Sequence, residues 1–213
     1  RHSPDLLDIG TGGGEWLSAL THRPGRTVAV EGWPPNVPVA RARLEPLGIE
    51  VFEVDPAPPN VAQDAAAAGG ALPFPDGAFH LIVSRHEAYL PGEVLHVLAP
   101  DGWFLTQQVG SGAGDGYYRL LDEAPPTEPP WDLYVAAMQL NAAGFVVDEA
   151  DQGFETISFA DVGALAWYLK NLPFVYPGFS IAAARDRLRR LHESREAISV
   201  RQPLFRIGAR RRG

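Results

Sequence analysis

Cysteine is absent from this chain of 213 residues. Its absence excludes disulfide bonds and thiolate metal sites, and it fits a reducing compartment, so we expect a cytoplasmic protein. Lysine occurs once, at position 170, although 18 residues are basic, which we interpret as a compositional bias. No apolar run approaches the ~20 residues that a membrane-spanning helix requires, and no signal peptide is visible. We therefore expect no membrane association.

Basic residues are concentrated near the C-terminus. Residues 185–213 hold ten arginines and three acids, a balance of +7, whereas residues 1–184 have a balance of −15, which together give the net charge of −8. An acidic body repels a phosphate backbone, so no nucleic-acid partner is expected, although the basic end keeps an RNA substrate open as an alternative. We interpret residues 185–195 as a solvated helix face and Arg210 to Arg212 as a frayed terminus.

The most informative stretch is an apolar strand that breaks into glycines and restarts as a helix. Residues 5–9 predict a buried strand, and residues 15–20 have helical spacing. The turn between them contains Gly10, Thr11, Gly12, Gly13 and Gly14. A bare backbone lets a nucleotide-like ligand come close to such a turn.

Two classes of ligand compete for this turn. The dinucleotide fingerprint G-x-G-x-x-G would place its third glycine at position 15, where the chain has a glutamate that would face the pyrophosphate. The pattern D-x-G-x-G-x-G, which Asp8, Gly10, Gly12 and Gly14 satisfy, resembles motif I of the class I S-adenosylmethionine-dependent methyltransferases. The cofactor of that family carries a cationic sulfonium and amino group and no phosphate, so an acidic turn suits it.

A second apolar strand, residues 27–31, ends in Glu31. A carboxylate at this point accepts both ribose hydroxyls in dinucleotide enzymes as well. Glu31 therefore predicts a bound ribose but does not distinguish between the two cofactors. Gly32 belongs to the same turn, and Trp33 packs either on the adenine or against the following helix. The resemblance also implies that the cofactor contacts Thr11, the pair Asp64 and Ala65 after the third strand, and Ser84.

Residues 71–110 decide between the two ligands. The run ALPFPDGAFHLIVSRHEAY resembles the methyltransferase pattern LPF-x-D-x-SFD followed by a fourth strand, and EVLHVLAPDGWFLTQQVG resembles a helix ending in L-x-PGG followed by a fifth strand. The chain departs from these patterns at Ala78, His80 and Asp101, which are positions that shape turns and strand starts. Because the motifs cover residues 5–110 in the expected order, the chain is identified as a member of this family, with S-adenosylmethionine as its cofactor.

The resemblance implies an α/β fold: a Rossmann-like, doubly wound, mostly parallel seven-stranded sheet with an antiparallel last strand and a helical insertion before it. We expect one domain over residues 1–213, with a cofactor-binding half at 1–110 and a substrate-side half at 111–213. The insertion, at about 154–196, is rich in aromatic residues and forms either a lid over the pocket or a small core of its own. Family members carry helices before the first strand, so the printed chain is expected to be a fragment or to lack that lead segment.

The element boundaries follow from hydrophobic spacing. Helices are predicted at 14–21, 36–47, 87–98, 131–143, 160–171 and 180–193. Strands are predicted at 5–9, 27–31, 49–54, 79–84, 103–109, 145–150 and 200–208. Residues 110–130 are rich in glycine and proline and predict a mobile loop.

The resemblance implies methyl transfer, and we expect a small-molecule acceptor, with O-methylation favoured over N-methylation. The protein must then align the acceptor, exclude water and in some cases remove a proton. His86, at the end of the fourth strand, has the pKa range of a general base toward a hydroxyl. Glu87 either orients His86 or begins the next helix, where an acid is favourable. These two residues are the predicted catalytic pair.

The predicted substrate contacts are Gln107, Trp167 and Tyr168. Strand alternation turns only one of Gln107 and Gln108 towards the pocket. No metal site is predicted. An RNA methyltransferase and a non-catalytic module that binds S-adenosylmethionine remain the alternatives, and the sequence does not fix the oligomeric state.

Overall fold

A computed structural model of the chain describes residues 3–62 and 69–212. Its strands are β1 (Asp5–Ile9), β2 (Arg26–Glu31), β3 (Glu50–Glu53), β4 (Phe79–Arg85), β5 (Leu98–Val109), β6 (Phe145–Phe159) and β7 (Ile198–Arg211). Its helices are α1 (Glu15–Ala19), α2 (Val37–Leu44), α3 (Pro91–Val97), α4 (Asp115–Leu120), α5 (Leu133–Ala143), α6 (Val162–Asn171) and α7 (Ile181–Ser194).

The strands form one seven-stranded sheet in the order β3-β2-β1-β4-β5-β7-β6. Strands β1 to β5 pair in parallel, whereas β6 and β7 are antiparallel. The predicted Rossmann-like fold is confirmed. Strand β1 lies between β2 and β4 and is buried along its whole length, as expected for a parallel strand covered on both faces.

The register places the ends of four strands at one edge of the sheet. Ile9 of β1 pairs with both Val30 of β2 and Ser84 of β4, and Ser84 pairs in turn with Thr106 of β5. The residues that follow these positions therefore share the carboxyl edge, where open α/β sheets bind their ligands.

Helix α3 begins four residues later than the predicted boundary at position 87. Its first residue is Pro91, and Leu90 before it is extended, with φ −91° and ψ 116°. A proline disfavours helical geometry in the preceding residue but is well suited to the first helical turn. The interpretation of Glu87 as the start of this helix is therefore wrong, and residues 86–90 form an irregular segment after β4.

Residues 110–130 contain a short helix that the loop prediction missed. Tyr117 of α4 is fully buried, as is Leu121 just beyond the helix. The helix is only six residues long, so its tertiary packing, rather than its own propensity, stabilises it.

Strands β6 and β7 are longer than predicted. Strand β6 continues to Phe159, so the first part of the insertion is strand, and its helices lie within residues 162–194. Strand β7 continues to Arg211, and Arg210 forms a two-point ion pair with Asp148, with nitrogen–oxygen distances of 2.6 and 2.7 Å. The prediction that Arg210 and its neighbours form a frayed terminus is therefore wrong.

His80 and Asp101, which both depart from the family pattern, lie close to each other, and His80 also contacts Asp5. His80 Nδ1 lies 3.1 Å from Asp5 Oδ2, and His80 Nε2 lies 3.7 Å from Asp101 Oδ1. The backbone N–H of His80 also donates to Asp5. These contacts lie at the start of β4, at the edge of the sheet opposite the ligand-binding edge.

The chain divides into two compact units. Unit 1 comprises Arg1–Gln108, Leu133–Asp151 and Phe205–Gly213, and unit 2 comprises Val109–Asp132 and Gln152–Leu204. Unit 2 has its own core, in which Tyr117 and Leu121 pack with Leu165 and Leu169. Across the described residues, no helix is both long enough and apolar enough to cross a membrane.

Candidate functional site

The glycine turn between β1 and α1 folds back onto β2. The N–H groups of Gly10 and Thr11 both donate to the carbonyl oxygen of Val30, at 3.0 and 3.2 Å, and the N–H of Gly14 donates to Thr11 at 3.0 Å. These three N–H groups are therefore already hydrogen-bonded within the protein. A pyrophosphate needs backbone N–H groups that point outward, so the turn is poorly suited to a dinucleotide.

Two glycines of the turn differ in what surrounds them. Gly14 has φ 78°, and a Cβ atom placed on it would lie 2.7 Å from Cγ of Leu44. Gly12 also has a positive φ, of 63°, but a Cβ atom there would meet nothing within 4 Å. Packing against Leu44 therefore requires glycine at position 14, whereas the space beside Gly12 is open.

Glu31 links the end of β2 to this turn. Its side chain is 2% exposed; Oε2 accepts the N–H of Gly12 at 2.6 Å, and Oε1 accepts the N–H of Trp33 at 2.8 Å. A carboxylate has about four acceptor sites, so each oxygen retains one for a hydroxyl group. The Trp33 side chain itself is 63% exposed and lies outside this network.

A cavity opens beside the turn, with about 390 Å³ of space between its walls when open solvent is included. Its walls are formed by Ile9, Gly10, Val30, Gly32, Val54, Asp55, Pro56, Ala57, Gly70, Leu72, Glu87, Ala88, Tyr89, Leu90, Glu93 and Val94. Three of these residues are acidic, and none of the described lining residues is basic. Such a wall favours a cationic ligand and repels a phosphate.

Two carboxyl groups near the glycine turn, the buried Asp8 and the partly buried Glu87, are held in an unfavourable environment. Burial raises the pKa of Asp8 from 3.8 to about 6, against the opposing effects of Thr11 and Arg85. Burial also raises the pKa of Glu87, and the negative charge of Glu31 raises it further. A cation bound near these groups would relieve part of that cost.

His86 and Gln107 meet at the carboxyl ends of β4 and β5. The N–H of His86 donates to the carbonyl oxygen of Gln107 at 2.8 Å, and Nε2 of Gln107 donates to Nε2 of His86 at 3.0 Å. His86 Nε2 is therefore an acceptor. His86 has φ 58°, a left-handed conformation that is uncommon for residues other than glycine and typical of functional sites.

Gln108 has a different role from its neighbour. Its side chain is buried and donates to the carbonyl oxygen of Glu87 at 3.0 Å and to Thr106 Oγ1 at 2.8 Å. Ser84 Oγ donates to the same carbonyl oxygen at 3.3 Å. Alternation along β5 thus places Gln107 beside His86, while Gln108 and Ser84 fix the backbone of the irregular segment.

Two of the remaining predicted site residues, Trp167 and Tyr168, belong to unit 2. Trp167 is 68% exposed on α6. Tyr168 lies within unit 2, stacked on Tyr117 with ring centroids 5.7 Å apart. Asp64 and Ala65 lie outside the described residues. The structure therefore brings together the glycine turn, Asp8, Glu31, Gly32, Ser84, His86, Glu87 and Gln107.

Sequence reasoning predicted only Gly10, Gly32 and Glu87 of the cavity wall and missed the rest, including Asp55, Tyr89 and Glu93. Asp55 follows the third strand, and its position at a strand end could have indicated it. Glu93 lies on α3, where Oε2 accepts the N–H of Leu72 at 3.0 Å, a contact that no local pattern predicts.

Five of the ten arginines in the basic C-terminal region form ion pairs with acidic residues of the described chain. Arg190 contacts Asp122 at 2.8 Å, and Arg187 contacts Glu123. Arg206 contacts Asp151 at 2.7 Å, in addition to the pair between Arg210 and Asp148. An ion-paired arginine offers a phosphate backbone less net attraction than a free one.

The sequence model of a family described as "Methyltransferase domain" matches residues 7–106. No curated protein matches the chain. The matched residues include the glycine turn, Glu31, His86 and most of β5, and they end one residue before Gln107.

Among solved structures, the "putative methyltransferase" of Bacillus halodurans C-125 is similar at 19% identity with a TM-score of 0.66, covering 100% of this chain and 94% of that one. The YcgJ protein of Bacillus subtilis has 19% identity and a TM-score of 0.63 over the same shares. The cyclase SpnF is also similar, at 18% identity and a TM-score of 0.56, covering 100% of this chain and 76% of its own. These likenesses show the fold alone.

Proposed function

Because the chain belongs to the class I S-adenosylmethionine-dependent methyltransferase family, we propose that it methylates a small molecule, with oxygen favoured over nitrogen as the accepting atom. The observation that carries the proposal is the contact between His86 and Gln107, which presents a hydrogen-bond acceptor and a donor side by side. His86 directly precedes Glu87, which lines the acidic cavity.

The cavity suits the cofactor of the family. The lining carries Asp55, Glu87 and Glu93 and no described basic residue, and Glu31 has acceptor sites left for ribose hydroxyls. When bound, S-adenosylmethionine supplies a methyl group on a positively charged sulfur that is already a good leaving group. The chain therefore has to hold that cation, position the acceptor and take up one proton.

His86 and Gln107 are suited to positioning a hydroxyl. The O–H of an acceptor can donate to Nε2 of His86 in place of Gln107, and the released side-chain N–H of Gln107 can then donate to the acceptor oxygen. His86 takes the proton as the oxygen is methylated, and general base catalysis of this kind contributes roughly 10²- to 10⁴-fold. A protonated amine would not fit the site, because it has no lone pair to accept from Gln107.

The proposal can be tested with a panel of phenols, aliphatic alcohols, hydroxy acids and amines, assayed by formation of S-adenosylhomocysteine. We expect hydroxyl compounds to be methylated, and His86→Gln to lower kcat by about 100-fold while the Kd for S-adenosylmethionine stays the same. His22→Gln, which changes an exposed histidine after α1, is the matched control. Methylation of amines alone, or full activity of His86→Gln, would overturn the assignment.

Trp167 and Tyr168 remain candidates for substrate binding. Trp167 carries the exposed aromatic surface that contact with a substrate would require, whereas Tyr168 is engaged in the stack with Tyr117. We expect Trp167→Ala to raise KM for the acceptor without changing cofactor affinity. An unchanged KM would remove Trp167 from the proposed site.

The balance of charge supports a small acceptor over RNA. Half of the arginines that give the C-terminal region its positive balance are paired with acidic residues, and the cavity is acidic. We expect no shift of a structured RNA in a mobility assay at low salt. Binding that disappears on deletion of residues 209–213 would instead favour the RNA alternative.

A further inference from the structure

Glu87 occupies an unusual position in the site. It lies in the irregular segment between β4 and α3, and its side chain packs directly against the glycine turn: a Cβ atom on Gly10 would overlap Cβ and Cγ of Glu87. Its backbone carbonyl oxygen is fixed by Gln108 and Ser84. Hydrogen bonds to its carbonyl oxygen fix the backbone of Glu87 at the cavity wall. The lack of a side chain at position 10 leaves room for the Glu87 side chain against the turn.

The surroundings of Glu87 are acidic. Its carboxyl group is largely buried close to Glu31, and Asp55 and Glu93 also line the cavity. Glu93 is tied to the backbone of Leu72, and Asp55 is exposed, so Glu87 is the cavity acid that combines burial with a place on the glycine turn. No basic side chain among the described residues lines this cavity to neutralise it.

A half-buried carboxylate next to another carboxylate is unfavourable unless a cation joins them. A neutral side chain of the same length would fill the space against Gly10 without this electrostatic cost. The packing against Gly10 therefore explains the length of the Glu87 side chain but not its charge. A cationic ligand in the cavity would account for the charge.

We propose that Glu87 selects the charged cofactor over its neutral product. S-adenosylmethionine and S-adenosylhomocysteine share the adenosine and amino-acid parts and differ by one methyl group and the positive charge on sulfur. A carboxylate at the cavity wall attracts the first through that charge and does nothing comparable for the second. The inference rests on cofactor binding at this cavity, and it gives Glu87 a role in exchanging product for cofactor rather than in orienting His86.

The test is titration calorimetry of the wild-type chain, Glu87→Gln and Glu87→Met with each of the two ligands. In the wild type we expect tighter binding of S-adenosylmethionine. In both variants we expect that preference to fall about tenfold, the effect of one charged contact at a half-buried site, through weaker binding of S-adenosylmethionine. Binding of S-adenosylhomocysteine should be unchanged or tighter.

Glu50→Gln is the matched control, since it removes the same charge from an exposed residue at the start of β3. It should leave the preference as in the wild type. Thermal unfolding of each variant establishes that it is folded. An equal loss of both ligands in Glu87→Gln, or an unchanged preference, would overturn the inference and leave the cofactor site intact. A wild-type chain that binds neither ligand would overturn the site itself.

Discussion

The carboxylate of Glu31 accepts the backbone N–H of Gly12 over 2.6 Å, across nineteen positions of sequence. This hydrogen bond joins the end of the second strand to the middle of the glycine turn. The second oxygen of Glu31 accepts the N–H of Trp33 at 2.8 Å. One buried side chain thus determines the geometry of both turns at the ligand-binding edge.

Replacing Glu31 with alanine should affect both folding and binding. Two backbone donors would lose their partner, which we expect to cost about 2–4 kcal/mol in the free energy of unfolding, and the affinity for S-adenosylmethionine should fall at least about 100-fold. Chemical denaturation and calorimetry measure the two effects. Glu53→Ala is the control, because Glu53 pairs with Glu31 in register but is exposed. Wild-type affinity in Glu31→Ala would contradict the ribose assignment.

Alanine at Gly12 and at Gly14 should separate binding from stability. Both positions have positive φ, which costs an alanine about 1–2 kcal/mol. Gly14→Ala also forces a methyl group against Leu44, so its total cost should reach about 2–5 kcal/mol. Gly12→Ala should lose only the cost of its positive φ and so unfold at a higher denaturant concentration than Gly14→Ala, but it should bind S-adenosylmethionine poorly, because its methyl group enters the open space beside the turn. Equal stability of the two variants would show that the Leu44 side chain moves to accommodate the added methyl group.

Asp8 should make stability depend on pH. Its pKa is raised from 3.8 to about 6 in the folded chain, so the folded state holds the proton more tightly than the unfolded state. The protonated carboxyl group of Asp8 therefore stabilises the folded state below about pH 4. This contribution to the free energy of unfolding is lost as the pH rises through about 6, a change of about 3 kcal/mol. Asp8→Asn should therefore stabilise the ligand-free chain at neutral pH and much less near pH 4.5. Denaturation at both pH values measures this, and an equal gain at the two would contradict it.

His80 should not tolerate the aspartate that the family pattern has at this position. In His80→Asp the new carboxylate would face Asp5 and Asp101, and the repulsion should cost about 1 kcal/mol in this partly exposed place. The double variant with Asp101→Gly should recover part of that loss. Thermal unfolding compares the two, and the single variant Asp101→Gly serves as the reference. A fully stable His80→Asp would show that the departures at 80 and 101 are independent.

The central sheet could be predicted from sequence because its signals are local. Strand β1 has the predicted bounds, and β2 and β4 differ from them by one residue at one end, since a continuous apolar run bounded by glycine or proline identifies a buried parallel strand. The glycine turn and Glu31 followed from the same strands. Their hydrogen bonds to each other did not, because they join residues distant in sequence.

The segment after β4 shows where local spacing is insufficient. The helical pattern appeared to start at Glu87, yet Pro91 keeps Leu90 extended and delays α3. That delay is what allows Glu87 to pack against Gly10 and leaves His86 with a positive φ. His86 and Glu87 follow β4, as the sequence pattern predicts, but the direction of the Glu87 side chain depends on tertiary contacts.

The C-terminal half was predicted less well, for a physical reason. Helix α4 and the outer parts of β6 and β7 lack strong periodicity of their own, and their structure depends on partners far along the chain. Tyr117 is buried by residues of α6, and Arg210 is ordered by Asp148 on the neighbouring strand. A glycine- and proline-rich composition at 110–130, or a run of arginines at the end, carries no information on such partners.

Unit 2 is assembled from two separate stretches of chain, Val109–Asp132 and Gln152–Leu204. The first stretch supplies Tyr117 and Leu121 to its core, and the second supplies Leu165 and Leu169. Exchange of one continuous segment could therefore not transplant this unit into another protein, because part of its core would stay behind. The segment between the two stretches, Leu133–Asp151, belongs to unit 1 and supplies α5 and the first part of β6, so both stretches would have to be exchanged together around it.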